Sequence, residues 1–217
     1  MIASLRLQQK VPYIAAWSAE EIGSPRVVRR GSGIGYANER PRDRDAFGVL
    51  WRRVTNRPGR GRPEYGQVHF LRQRRAMGGL RCQVCGGSTA REVTRDGVLF
   101  LLGRDEYEHA PWPAPIHTTH PPLCLPCAGT STQVCPHLRD HYVALRARAP
   151  RLYGVNGISY LPGRQGPKRF GAETLSFEDP RVRWMEAAQL VVRLETYTLV
   201  DLEAELARTP QSPALSA

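Results

Sequence analysis

Two cysteine pairs constrain this chain more than anything else in it: Cys82-Gln-Val-Cys85 and Cys124-Leu-Pro-Cys127. Two residues between cysteines let one tight turn aim both sulfurs at a single ion. Gly86 and Gly87, just after the first pair, permit the left-handed backbone that such a knuckle needs. Zinc takes four ligands tetrahedrally and favours thiolates, so Cys82, Cys85, Cys124 and Cys127 make a closed site with no open position. A closed site is structural, not catalytic. The rival is a thioredoxin-like redox pair, which calls for a βαβ context that neither pair has. Cys135, with His137 in VCPHL, reads as a small buried apolar residue. Cys135 and His137 could instead replace one zinc ligand or contact the ligands from behind.

Disulfides are not expected, because the chain reads as intracellular. Its N-terminus, MIASLRLQQK, has no apolar h-region and no small-residue cleavage site. The longest candidate apolar run, VLFLL at 98–102, falls far short of the ~18 residues of a spanning helix. A soluble, cytoplasmic protein without a membrane partner is the expectation. With 217 residues, 41% of them hydrophobic, the chain can bury a sizeable core.

The net charge of +11 is concentrated rather than spread. Residues 26–81 hold 15 Arg against four acids, Glu39, Asp43, Asp45 and Glu64, so this segment carries the whole excess. A block of this kind favours a polyanion, most often nucleic acid. Arg is used almost to the exclusion of Lys, which codon bias would explain. Codon bias does not explain the scarcity of acids there.

Along the chain, residues 11–17 suggest a short strand, and 23–48 are mostly loop. GSGIGYAN at 31–38 lacks the spacing and the Lys-Ser/Thr of a phosphate loop. Residues 47–54 suit a short helix or strand, and 56–63 a Pro/Gly/Arg linker. Residues 64–77 suggest a helix ended by Gly78-Gly79. Residues 91–102 suggest a hairpin turning at Asp96-Gly97. Residues 141–148 and 151–160 suggest two strands around Pro150. From Phe177 to Arg208, the spacing of Trp184, Ala187, Ala188, Val191 and Val192 predicts an amphipathic helix opened by Asp179-Pro180. Tyr36, Phe47, Trp51, Tyr65 and Phe70, near the basic block, are expected in the core rather than stacked on bases.

These expectations add up to an α+β protein. A basic region covers 1–63, a zinc module 64–141, a β-hairpin with a C-terminal helix 142–208, and a frayed tail 209–217.

The order of knuckle, hairpin and second pair at a helix start resembles a treble clef. Over residues 70–130, LRQRRAMGGLRCQVCGG and LCLPCAG are similar to the two cysteine pairs of zinc-containing HNH endonucleases. The resemblance implies a metal-dependent nuclease in which His109, of Glu108-His109, is the general base. The chain departs from that pattern elsewhere. His117, Thr118, Thr119 and His120 occupy the stretch of the middle catalytic position. Ala128 stands where a third His commonly follows the last Cys, and Pro111, Pro113 and Pro115 interrupt the expected hairpin. The chain also resembles actinobacterial and phage-type proteins, a likeness that brings no activity with it.

Three functions follow as expectations. The first is a zinc-stabilised nucleic-acid-binding protein, regulatory or phage-related, that meets DNA more than RNA. Its phosphate contacts would be Arg52, Arg53, Arg57, Arg60, Arg62, Arg72, Arg74 and Arg75. The second is an HNH-like nuclease using His109. The third is an adaptor that docks a protein through the C-terminal helix or the Pro-rich loop 111–122.

Overall fold

The computed structural model describes residues 11–90, 93–109, 115–139 and 141–208. The initial segment, the tail 209–217, and Pro111 and Pro113 of the expected loop lie outside them. Among the described residues no helix is long and apolar enough to cross a membrane.

The fold is mixed α+β, with four helices and several sheets. The strands are β1 (Ala15–Trp17), β2 (Val27–Arg30), β3 (Gly33–Tyr36), β4 (Leu50–Trp51), β5 (Pro63–Val68), β6 (Val98–Gly103), β7 (Ile116–Thr118), β8 (Tyr142–Ala147), β9 (Arg151–Leu161), β10 (Lys168–Ser176), β11 (Met185–Leu194) and β12 (Tyr197–Leu199). The helices are α1 (Phe70–Gly78), α2 (Arg104–Glu108), α3 (Leu125–Val134) and α4 (Leu202–Arg208).

The largest sheet has the order β10-β9-β11-β4, and β7 also pairs with β11. β11 is the organiser. It pairs antiparallel with β9 on one side. On the other it meets β4 in parallel near its start and β7 antiparallel near its end. Residues 177–208 therefore do not form the expected helix: a 3-10 turn (Pro180–Trp184), β11 and β12 precede the seven-residue α4. The reason is physical. A strand covered on both faces is apolar without strict alternation, and helical spacing in a short run cannot distinguish it from a buried helix. Seven of the ten β11 residues are buried.

The second sheet runs β12-β8-β6. β6 contains the VLFLL run and is likewise covered on both faces. Val98, Phe100 and Leu102 enter the main core with Leu145, Val155, Met185, Val192 and Leu194. Leu99 and Leu101 point into a second cluster with Cys82, Leu123, Ala128 and Leu202. This placement corrects the hairpin expected over 91–102. The Asp96-Gly97 turn is marked by a lone Thr94–Gly97 bridge, but β6 takes β8 as its partner. Val93, Thr94 and Arg95 are exposed, whereas Ala144, Leu145 and Ala147 of β8 are buried.

The hairpin expected around Pro150 is corrected in the same way. β8 and β9 lie in different sheets, and β9 turns back onto β10 through the Pro/Gly-rich 162–167 loop. The helix expected from residue 64 starts at Phe70. Residues 63–68 are instead strand β5, paired with β1. Pairing of β1 with β5, and of β6 with β8, runs across the positions 63/64 and 141/142 expected to separate regions.

Candidate metal centre and basic cleft

The two cysteine pairs meet. The sulfurs of Cys82, Cys85, Cys124 and Cys127 all lie within 4.8 Å of one another. Around zinc at a Zn–S distance of about 2.3 Å, tetrahedral sulfurs stand roughly 3.8 Å apart. The Cys85–Cys124 separation is 3.8 Å. Four soft donors at this spacing suit a metal ion such as zinc. Among the described residues no other group of three or more His, Cys, Asp or Glu side chains is so arranged.

Local sequence builds each half. In the knuckle, the Cys82 amide donates to the Gly87 carbonyl, and the Gly86 amide donates back to the Cys82 carbonyl, each at 2.8 Å. Gly86 has φ of +72°, and a Cβ there would meet the Tyr13 ring at 2.9 Å. Tyr13 belongs to the segment whose backbone amides, with that of Ile14, bond the knuckle carbonyls of Val84 and Gln83. The amides of Val84 and Cys85 donate to Cys82 Sγ, and that of Gly87 donates to Cys85 Sγ. In the second half, Cys124 is the N-cap of α3 and Cys127 lies in its first turn, with Pro126 between them. A helix N-terminus favours thiolate there.

The electrostatics fit a cation. Hydrogen bonds from the Cys124 and Cys127 thiols hold Cys82 far below the usual thiol range. Cys127 pulls Cys124 down, but Cys82 and burial outweigh it and push that thiol up to about 12. Cys127 is raised by its bonds to Cys124 and Cys82 and by burial. A divalent cation at such a cluster would supply the positive charge that stabilises coordinating thiolates. Cys135 is outside the cluster. It caps the C-terminus of α3, its amide bonded to Ser131.

The arginines expected to meet phosphate divide into two groups. Arg72 is buried, 2% exposed. Its guanidinium bonds both Glu20 oxygens (2.6 and 2.7 Å), Asn56 Oδ1 and the Ala15 carbonyl. Arg53 is held by Asp43 at 2.6 Å and lies over the Tyr36 ring. Both guanidiniums are engaged by carboxylates within the protein. Burial raises the pKa of Glu20, but Arg72 and the amides of Arg57 and Trp17 win and keep it below its ordinary value. Asp43 is lowered in the same manner by Arg53 and the Arg40 amide, against burial. His69 supports the network as the N-cap of α1. Nε2 donates to the Thr55 carbonyl at 2.9 Å, and Nδ1 accepts from the Arg72 amide. Burial lowers its pKa, in keeping with the neutral ring those bonds require.

The second group lines an open cleft of about 750 Å³. Arg40 caps and Arg42 lies in the 3-10 turn Pro41–Asp43, Arg52 follows β4, and Arg74 and Arg75 come from α1; the paired Arg53 also reaches the cleft wall. Glu21 and Asp43 are its acids, and Asp43 is already paired with Arg53. Among the described residues Arg40, Arg42, Arg52, Arg74 and Arg75 make no ion pair. Arg52 Nε is buried without a hydrogen-bond partner, and the guanidinium lies 5.7 Å from the Phe70 centroid. Arg74 lies 4.4 Å from that of Trp51. Arg57, Arg60 and Arg62 are exposed on the loop that follows Asn56, itself on the cleft. Arg40 and Arg42 belong to the counted basic block but carry no individual signal in sequence.

The aromatics also divide. Tyr36 and Trp51 are buried as expected, whereas Phe47 and Tyr65 are about two-thirds exposed, at 67% and 66%. GSGIG supplies β3, packed in the β2–β3 hairpin. The histidines go to separate places. His109 caps α2, with Nδ1 2.7 Å from the Asp105 carbonyl, His117 stacks on Tyr153, and His120 faces Glu106. No protein family, curated protein or solved structure matches the chain.

Proposed function

We propose that this is a zinc-stabilised nucleic-acid-binding protein whose cleft arginines contact phosphate. One observation carries the reading: five arginines on a single cleft have no carboxylate partner, in a segment where neighbouring arginines do. Like charges brought together without compensation are costly unless solvent or an anionic partner meets them. Guanidinium forks match phosphate oxygens in pairs. The Cys82, Cys85, Cys124 and Cys127 site takes structural zinc in a treble-clef-like arrangement, with a knuckle first and a helix-borne pair second. In this variant the intervening strand β6 pairs with β8. Zinc makes the β6–α3–α4 cluster rigid, and β6 carries that rigidity to the core on which α1 and β4 rest. The bound polyanion is DNA more than RNA, and phosphate contacts alone set position with little sequence choice.

Fluorescence anisotropy with labelled DNA over a salt series tests this. Log K should fall against log salt by about 0.7–0.9 per phosphate neutralised. Arg40→Ala/Arg42→Ala should flatten the slope by one to two phosphates. A flat wild-type response would end the reading.

A further inference from the structure

A second cavity, of about 260 Å³, adjoins the cleft. Ile22, Val54 and Phe70 line both. The rest of the smaller cavity is mixed: Ala16 and Val68 are apolar, whereas Ser18, Glu64, Gln67 and His69 are polar. Among the described residues neither the Glu64 nor the Gln67 side chain makes a hydrogen bond or ion pair. Glu20, by contrast, is fully engaged by Arg72 and two backbone amides. Ile22 is 45% exposed on the shared wall.

We propose that the two cavities together take an unpaired stretch of nucleic acid, its phosphates on the cleft arginines and one base in the smaller cavity against Ile22 and Phe70. This rests on the nucleic-acid reading above and narrows it to single strands. Three features carry it. Cationic and apolar surfaces lie side by side, which is how backbone and bases of a single strand are met at once. A duplex keeps its base faces stacked and shows only edges in its grooves, so it cannot use an apolar wall. The cleft, at about 750 Å³, has the volume of a ligand site, and the smaller cavity, at about 260 Å³, lies just under that range. Free donors and acceptors on Glu64 and Gln67 are then available to a base edge.

The test uses the full chain with its metal bound. Four labelled probes of equal phosphate number are compared: oligothymidylate, oligouridylate, an abasic strand and a DNA duplex; thymidine monophosphate serves as a fifth. Both single strands should bind about tenfold or more tightly than the abasic strand and the duplex. The mononucleotide should be weaker still. A thymidylate-over-uridylate preference assigns the strand as DNA, and the reverse as RNA. Ile22→Ser, at an exposed position, should remove most of the advantage over the abasic strand. Arg40→Ala/Arg42→Ala should weaken every probe, whereas Arg104→Ala/Arg139→Ala, equal in charge and outside the cleft, should not. Duplex or abasic binding as tight as oligothymidylate, or a mononucleotide equal to the oligomer, would overturn the single-strand proposal and leave the nucleic-acid reading standing. Binding to none of the probes would overturn both.

Discussion

The cysteine cluster and the arginine cleft are assembled in opposite ways. Four like side chains converge in the first, each pair delivered by a tight turn or a helix start. In the second, like side chains from one stretch of chain separate. Arg53 and Arg72 turn inward to Asp43 and Glu20, while Arg40, Arg42 and Arg75 stay exposed and unpaired. The difference shows what an arginine is for. A guanidinium with a buried carboxylate at 2.6 Å ties distant segments together; one on an open cleft without a carboxylate is available to an outside anion.

Each side of that contrast can be broken by substitution. The largest effect belongs to the metal site. Cys82, fully buried, belongs both to the four-cysteine site and to the second apolar cluster. Structural zinc contributes on the order of 10 kcal/mol in small domains, comparable with the whole stability of a protein, about 5–15 kcal/mol. Cys82→Ser, or chelation of the native protein, should abolish the cooperative thermal transition seen by circular dichroism; an unchanged transition would deny the metal its structural role. Next comes Arg72→Ala, which strands Glu20 in the interior. Breaking a buried pair in this way costs about 3–5 kcal/mol, a fall in Tm of roughly 6–20 °C for a chain of this size. Arg75→Ala is the counterpart. It should change stability by no more than about 0.5 kcal/mol and weaken DNA binding severalfold in the anisotropy assay. Equal stability losses in the two variants would erase the distinction between them.

The smallest effect sharpens the inward side. Glu20, Asp43 and His69 all have folded pKa values below their ordinary ones, so the unfolded chain binds more protons as the pH falls. Their stabilisation is complete above the unfolded values and is lost on acidification. The His69 part should begin to go below about pH 6.5, and the carboxylate part below about pH 4.5. Urea unfolding between pH 7 and 5.5 isolates His69, because His69→Asn keeps a capping side chain and lacks the ionisation. The variant should lose less stability over that interval; a parallel loss would place the titration elsewhere.

What sequence reveals follows from how far apart partners lie. The cysteines were legible because each pair is local and its chemistry is nearly exclusive, so only the joining of two pairs had to be inferred. The division of the arginines was hidden. Arg72 and Glu20 are 52 residues apart, and nothing in RQRR separates Arg72 from Arg75. The α+β class was legible, but the strand β11 was not, because cover on both faces erases the alternation that marks a strand. β10 escaped notice for the opposite reason: as a sheet edge it is mostly polar and exposed.

The most direct test of this account is a joint count of metal and thiols on the native protein. Elemental analysis should find one zinc per chain. A thiol reagent should modify Cys135 alone until a chelator or denaturant releases the other four. A metal-free chain with all five thiols reactive, or with the pairs joined as disulfides, would contradict it.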